Sequence, residues 1–224
     1  PAFQKGWFEI QDEGSQMVAL LSGAKPGQNV LDYCAGGGGK TLALASHMGN
    51  KGQIHATDSD KARLAPIFER LKRAETRNVQ VHSAKSDLTS LESAMDLVLI
   101  DAPCTGAGTW RRRPDAKWRL SQSQLDQRVN EQASILEKAK AFVKPGGRIA
   151  YITCSVFEAE NAGQVRRFLG ANADFKAIDP KSLMLALLPA LPAEAVLLSP
   201  QGLTLTPLRT GTDGFFLSVL QRAA

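Results

Sequence analysis

Residues 29–47 read NVLDYCAGGGGKTLALASH. An apolar run (29–34) meets four glycines (36–39), and a helical pattern follows over 40–48. Glycines let the backbone take positive φ and come close to a ligand. Strand, glycine turn and helix in this order open an α/β sheet, whose ligand lies outside the carboxyl ends of the strands. Working outward, further short apolar runs fall at 53–58, 78–83, 95–101, 146–154, 173–179 and 214–220, with helical patterns at 60–74, 123–142 and 158–169. Strands alternating with helices predict a mostly parallel seven-stranded sheet, covered by helices on both faces, with an antiparallel last strand. Residues 1–24 read as a helical lead-in and 25–224 as a Rossmann-like core, together one domain. The stretch 180–200, rich in Leu, Pro and Ala, reads as an insertion before the last strand.

The remaining composition narrows the classes. The 224 residues are 43% hydrophobic and 22% charged, as a folded globular chain requires and a disordered one does not. The most apolar stretch, 183–198, is broken by Pro189, Pro192 and Glu194, so no membrane span is expected. The first residues have no apolar core of a secretion leader. The three cysteines, Cys34, Cys104 and Cys154, are odd in number and far apart, which predicts neither a disulfide framework nor a metal site and suits a reducing cytoplasm. His47, His55 and His82 lack partner spacing and read as structural.

The glycine loop also decides which ligand fits. A Walker A loop ending at Gly39-Lys40-Thr41 needs glycine at 34, which is Cys34. A dinucleotide fingerprint needs glycine at 41 or 42, which are Thr41 and Leu42. A dehydrogenase and an NTPase are therefore disfavoured. A glycine turn without a phosphate signature, ringed by acids, suits S-adenosylmethionine, a sulfonium cation joined to a nucleoside. Asp32 stands near the expected sulfonium end. Asp58 is placed for the ribose hydroxyls, and Asp87 for the adenine amino group. Taken singly, each Asp reads as a turn or helix-cap residue.

Cys104 and Cys154 follow the fourth and fifth strands, and neighbouring strands bring both to one pocket. LDYCAGGGGKT, ATDSDKARL, DAPCTGAGTWRRRPDAKW, ITCS and TDGFF, in order, resemble the motifs of the Sun/Fmu (RsmB-like) RNA cytosine-5 methyltransferases. GWFEIQDEGSQ (6–16) resembles the segment before the cofactor loop in that family, so the likeness runs over residues 6–217. It implies a class I S-adenosylmethionine methyltransferase fold and methyl transfer to carbon 5 of a cytosine in RNA, 16S ribosomal RNA before transfer RNA. It implies Cys154 as nucleophile, Cys104 as the cysteine that assists release, Asp101 at ring N3, and Lys40 orienting Asp101 or the base. Cys34, Ala35, Gly36, Gly37, Gly38, Gly39, Lys40, Asp58, Arg63, Asp87, Asp101 and Pro103 form its implied cofactor set. One departure stands out: the family loop reads CAAPGGK, whereas Gly36 and Gly37 stand here for Ala and Pro. An upstream RNA-binding domain is also implied, and is not part of this chain; a monomer is expected.

Two rival readings remain open at this point. A DNA cytosine-5 enzyme would use Pro103-Cys104, which leaves Thr153-Cys154 without a task. A non-catalytic RNA-binding module with a decayed cofactor site would rest on the altered loop alone. Charge favours an RNA partner. Of the net +5, the segment 105–130 carries +4, from six basic and two acidic residues. Trp110, Arg111, Arg112, Arg113, Lys117, Trp118 and Arg119 interleave rings with cations, a pattern for single-stranded RNA. For Trp118 a core anchor is an equally good reading.

Overall fold

The computed structural model describes residues 1–224. Along the chain it runs α1 (Glu13–Leu21), β1 (Asn29–Asp32), α2 (Gly39–His47), β2 (Gln53–Thr57), α3 (Lys61–Leu64), α4 (Ile67–Arg73), β3 (Val79–His82) and β4 (Met95–Asp101). It continues with α5 (Ala116–Arg119), α6 (Gln122–Ala139), β5 (Val143–Thr153), α7 (Ala162–Ala171), β6 (Phe175–Ala177), α8 (Pro180–Leu187), β7 (Leu197–Ser199), β8 (Gly202–Leu205), α9 (Pro207–Thr210) and β9 (Phe215–Arg222). The strand order is β3-β2-β1-β4-β5-β9-β8-β7, with β6 also paired to β9. Strands β1 to β5 are parallel, and β9 runs antiparallel to β5, β6 and β8.

Alternation of side chains explains the unbroken apolar runs. In β4, Leu97 and Leu99 pack with Val18, Leu44 and Met48 on the α1/α2 face, while Val98 and Ile100 pack with Leu136, Val165 and Phe168 on the α6/α7 face. Both faces are buried, so both halves of the strand are apolar. The mostly parallel, doubly covered sheet is as expected, but it holds nine strands rather than seven. The two extra strands, β7 and β8, form a hairpin at the end of the supposed insertion, with Leu197 facing Thr204. Pro189 and Pro192 mask it in the sequence, because they break the apolar periodicity just before it. The stretch also folds α8, capped by Asp179, whose carboxylate accepts from Lys181 N and Ser182 N.

Other boundaries move for local reasons. The expected helix over 60–74 is two helices, because Pro66 has no N–H to continue the first. Asp60 caps the first of them through Ala62 N and Arg63 N. Strand β5 begins at Val143, three residues before the expected start, and its pairing with β4 shifts register between Met95 and Leu97. The bulge holds the Pro145-Gly146-Gly147 turn inside the strand. No helix is long and apolar enough to cross a membrane.

Parallel strands bring Asp32, Thr57, Asp101 and Thr153 to one edge, and antiparallel β9 starts there too. The loops at that edge touch backbone to backbone: Gly108 N donates to Cys154 O at 2.9 Å, and Gly214 N to Gly108 O at 2.8 Å. A Cβ on Gly108 would sit 2.1 Å from the Gly214 oxygen. Gly108→Ala is therefore expected to lower Tm by roughly 2–10 °C, the usual cost of overpacking in a chain of this size. Gly170→Ala, in α7 with open space around it, is expected to leave Tm unchanged or raised. Thermal melts of the two variants check this.

Candidate active site

The glycine loop turns at Gly38, which caps α2 with φ 82°. A Cβ there would come 2.5 Å from Ile67 Cγ1, so only glycine lets the loop lie on α4. Asp58 is buried and holds the loop from the side: Oδ2 accepts from Gly36 N at 2.9 Å and Oδ1 from Asp60 N at 2.8 Å. Each carboxylate oxygen keeps a further lone pair. The loop borders a cavity of about 470 Å³ lined by Tyr33, Cys34, Asp58, Ser83, Ala84 and Ile135. Arg63 reaches the same turn, since a Cβ on Gly36 would lie 3.6 Å from its Nη2.

One of the expected acidic contacts is corrected. Asp87 is exposed and faces its own turn, with Oδ1 accepting from Thr89 N and Thr89 Oγ1. The cavity wall at that level is Ser83-Ala84 instead, because the strand β3 ends early and the chain turns out to solvent. Asp32 is fully buried beneath the loop, with Oδ2 accepting from Thr41 Oγ1 at 2.7 Å and Oδ1 without a partner. Burial pushes its carboxyl up to about 7, against the Thr41 hydrogen bond. Asp32 therefore supports the loop from below. Burial, with Asp32, Asp58 and Asp101 nearby, also pushes the Cys34 thiol well up, so Cys34 is a neutral wall.

Beside the loop, Lys40 Nζ donates to Asp101 Oδ2 at 2.6 Å. Lys40 is buried and lies over the Phe215 ring at 5.1 Å. The two remaining thiols meet: Cys104 Sγ and Cys154 Sγ are 3.3 Å apart. That hydrogen bond pulls the Cys154 thiol below its ordinary value, with Lys40 assisting and burial and Asp101 opposing. Cys104 is pushed well up by the same bond and by burial. A lowered thiol beside a cation is the state a nucleophile needs.

The residue that sets this geometry was not anticipated. Glu160 is fully buried and accepts from Thr105 N at 2.8 Å, Thr105 Oγ1 at 2.6 Å and Gln132 Nε2 at 2.9 Å, and from Ser155 Oγ. It thus ties the Cys104 loop to the Cys154 loop and both to α6. Asn161 adds a second tie: its Oδ1 accepts from Thr153 Oγ1 and its Nδ2 donates to Ser155 O at 3.0 Å. The only signal was a polar cluster, EAEN, shortly after Cys154. In sequence it reads as the polar start of a helix.

The basic loop divides. Arg111 Nε donates to Asp213 Oδ1 at 2.8 Å and its Nη2 to Asp12 Oδ2 at 3.1 Å, while Arg112 Nε donates to Asp213 Oδ2 at 2.8 Å. Asp213 is buried, and Arg112 and then Arg111 hold its carboxyl below the usual range against burial. These two cations are exposed but paired, and share one buried carboxylate. Trp110 is half-buried, edge-on to Phe157 at 5.8 Å. Arg113, Lys117, Trp118 and Arg119 face solvent, Lys117 over the Trp118 ring at 5.2 Å and Arg119 paired with Asp115. Trp118 is 82% exposed, so it anchors no core. A cavity of about 290 Å³ lies between Cys104 and this surface, lined by Thr105, Arg119, Leu120, Gln124 and Gln127. Away from the site, His55 Nδ1 and His82 Nε2 meet at 2.9 Å, where no partner was expected, and burial lowers both.

Comparison with known proteins settles the family. The model of the 16S rRNA methyltransferase RsmB/F family matches residues 19–221. The chain belongs to the RsmB/F family. It is 32% identical over 235 residues to the probable ribosomal RNA small subunit methyltransferase B of Synechocystis sp., covering 100% of this chain and 49% of that protein. The structure of PH0851 is 36% identical with a TM-score of 0.87, over 99% of this chain and 48% of that one. NSun6 from Pyrococcus horikoshii, solved with SFG, is 26% identical with a TM-score of 0.81, over 100% of this chain and 55% of that one. The chain spans about half the length of the relatives it matches. Family and neighbours make S-adenosylmethionine the cofactor.

The donor set of this RsmB/F chain fits that group. Asp58 offers a lone pair on each of two oxygens, as vicinal ribose hydroxyls need, and the edge is rich in carboxylates, as a sulfonium needs. Asp58, the 34–39 loop and Arg63 would hold it. The thiol arrangement gives the first chemical test of this RsmB/F site. Alkylation of Cys154 by iodoacetamide, followed against pH by mass spectrometry, is expected to show a midpoint below the ordinary thiol value of about 8.5. Cys104→Ala removes that partner, so the midpoint is expected to rise and alkylation at pH 7 to slow.

Proposed function

We propose that this chain is the catalytic part of an enzyme that methylates carbon 5 of a cytosine in 16S ribosomal RNA, through a covalent bond between Cys154 and the base. The observation that carries the reading is the pair of thiols 3.3 Å apart beside the Lys40–Asp101 pair. Carbon 5 of cytosine is too weak a nucleophile to attack a methyl group unaided. Bound S-adenosylmethionine supplies an electrophilic methyl group. Cys154 thiolate adds to carbon 6 and sends an electron pair towards the ring. Asp101, held by Lys40, is placed to hydrogen-bond the ring at N3, where that charge develops. Carbon 5 then has the electron density to accept the methyl group. Solvent water takes the carbon 5 proton, the electron pair restores the ring double bond, and the Cys154 sulfur leaves as thiolate. Cys104, hydrogen-bonded to that sulfur, stabilises it as it departs.

The target base must leave its stack to reach Cys154. Arg113, Lys117, Trp118 and Arg119 present cations and one ring to the flanking strand, which supports single-stranded RNA as the partner. The family and the relatives' names favour the small-subunit ribosomal RNA.

The test uses the full-length protein with labelled S-adenosylmethionine and unmodified RNA or DNA, followed by digestion to nucleosides. Label is expected in 5-methylcytidine from RNA. Cys154→Ala is expected to abolish it, and Cys104→Ala to accumulate a covalent protein–RNA adduct. Transfer that survives Cys154→Ala would move the nucleophile to Cys104, and label in DNA alone would remove the RNA assignment.

A further inference from the structure

The glycine loop has little with which to hold itself. Gly36 and Gly38 take φ of 49° and 82°, and no side chain stands between Ala35 and Lys40. Glycine loses more freedom on ordering than any other residue, so such a loop needs a grip from outside. Arg70 of α4 supplies one. Its Nη1 donates to the Gly37 carbonyl at 2.7 Å. A Cβ on Gly37 or Gly39 would lie 3.7 or 3.8 Å from the same nitrogen, so the guanidinium lies across the turn. Arg70 is itself held: Nε and Nη2 donate to Glu9 Oε2 at 3.3 and 3.2 Å, and Glu9 also pairs with Arg73. Arg70 is 24% exposed and Glu9 19%, which limits screening of the pair.

We propose that Arg70, oriented by Glu9, is a positioning residue that pre-orders the glycine loop for S-adenosylmethionine, taking over the stiffening that a proline at position 37 would give. The arrangement links three stretches distant in sequence: the N-terminal segment, α4 and the cofactor loop. Position 37 has room for a side chain in this structure. Gly37 is not in the positive-φ region, its N–H donates to no backbone group, and a Cβ there meets only ordinary contacts. The inference concerns cofactor binding and stands whichever base is methylated.

The test is a thermodynamic cycle. S-adenosylmethionine is titrated by calorimetry into the wild type, Arg70→Ala, Gly37→Pro and the double variant. Loss of a charge-assisted hydrogen bond predicts about tenfold weaker binding for Arg70→Ala. KM for the cofactor is expected to rise in step while kcat holds. With Gly37→Pro present, the loss is expected to shrink to about threefold or less, because the loop is stiff already. A second cycle does not need the proline. Glu9→Gln is expected to weaken binding about threefold alone and not at all once Arg70 is Ala. Amide exchange over 35–39 in the cofactor-free protein is expected to speed up in Arg70→Ala. Unchanged affinity and exchange in Arg70→Ala, or equal losses with and without each partner substitution, would overturn the inference.

Discussion

One buried carboxylate governs the geometry of the two-thiol site. Glu160 has no exposure and takes hydrogen bonds from the Cys104 loop, the Cys154 loop and α6. A charge taken out of water is tolerated only when nearly all its lone pairs are filled. The loops therefore cannot separate without stranding Glu160, and the two sulfurs are kept in contact by a constraint that lies behind them. Tyr151 reinforces this from the core, donating its hydroxyl to the Glu160 carbonyl at 2.7 Å. The two thiols sit on loops that this network holds at the sheet edge.

The electrostatics of the edge then follow from an imbalance. Asp32, Asp58 and Asp101 converge there, and Lys40 is the buried cation among them. Such a site welcomes a sulfonium and resists a second anion. Burial first, and then the same carboxylates, work against ionising a thiol here, as the raised Cys34 shows. Cys154 escapes because it has what Cys34 lacks, a thiol partner at 3.3 Å and the Lys40 ammonium within reach. Three cysteines at similar places in the sheet thus come to have different chemistry.

Much of this was legible in the sequence, and the limits have physical causes. Apolar runs show where strands lie, so β1, β2 and β4 were placed within a residue or two, and the glycine loop and its acids pointed to the right edge. Pairing across the fold leaves no local mark. Asp213 and Asp12 are 201 residues apart in sequence yet together draw in Arg111 and Arg112. A sequence shows the charges of those arginines and not their partners. Glu160 resembled a helix start for the same reason. Asp87 differs for a local reason: β3 ends early, the chain turns out to solvent, and its carboxylate folds onto Thr89. Pro66 was visible and its effect on α3 and α4 follows from its missing N–H, yet the apolar spacing carried the helix through it.

The central claim is that Cys154 bonds to the base while Cys104 stays free to assist release. It is tested most directly by trapping the bond in the unaltered protein. RNA carrying 5-fluorocytidine at the target position cannot lose its carbon 5 substituent as a proton, so the adduct persists after methyl transfer. Digestion and peptide mapping of the trapped complex are predicted to find the nucleotide on the peptide that contains Cys154, with Cys104 still open to alkylation. A nucleotide on Cys104 would contradict the account.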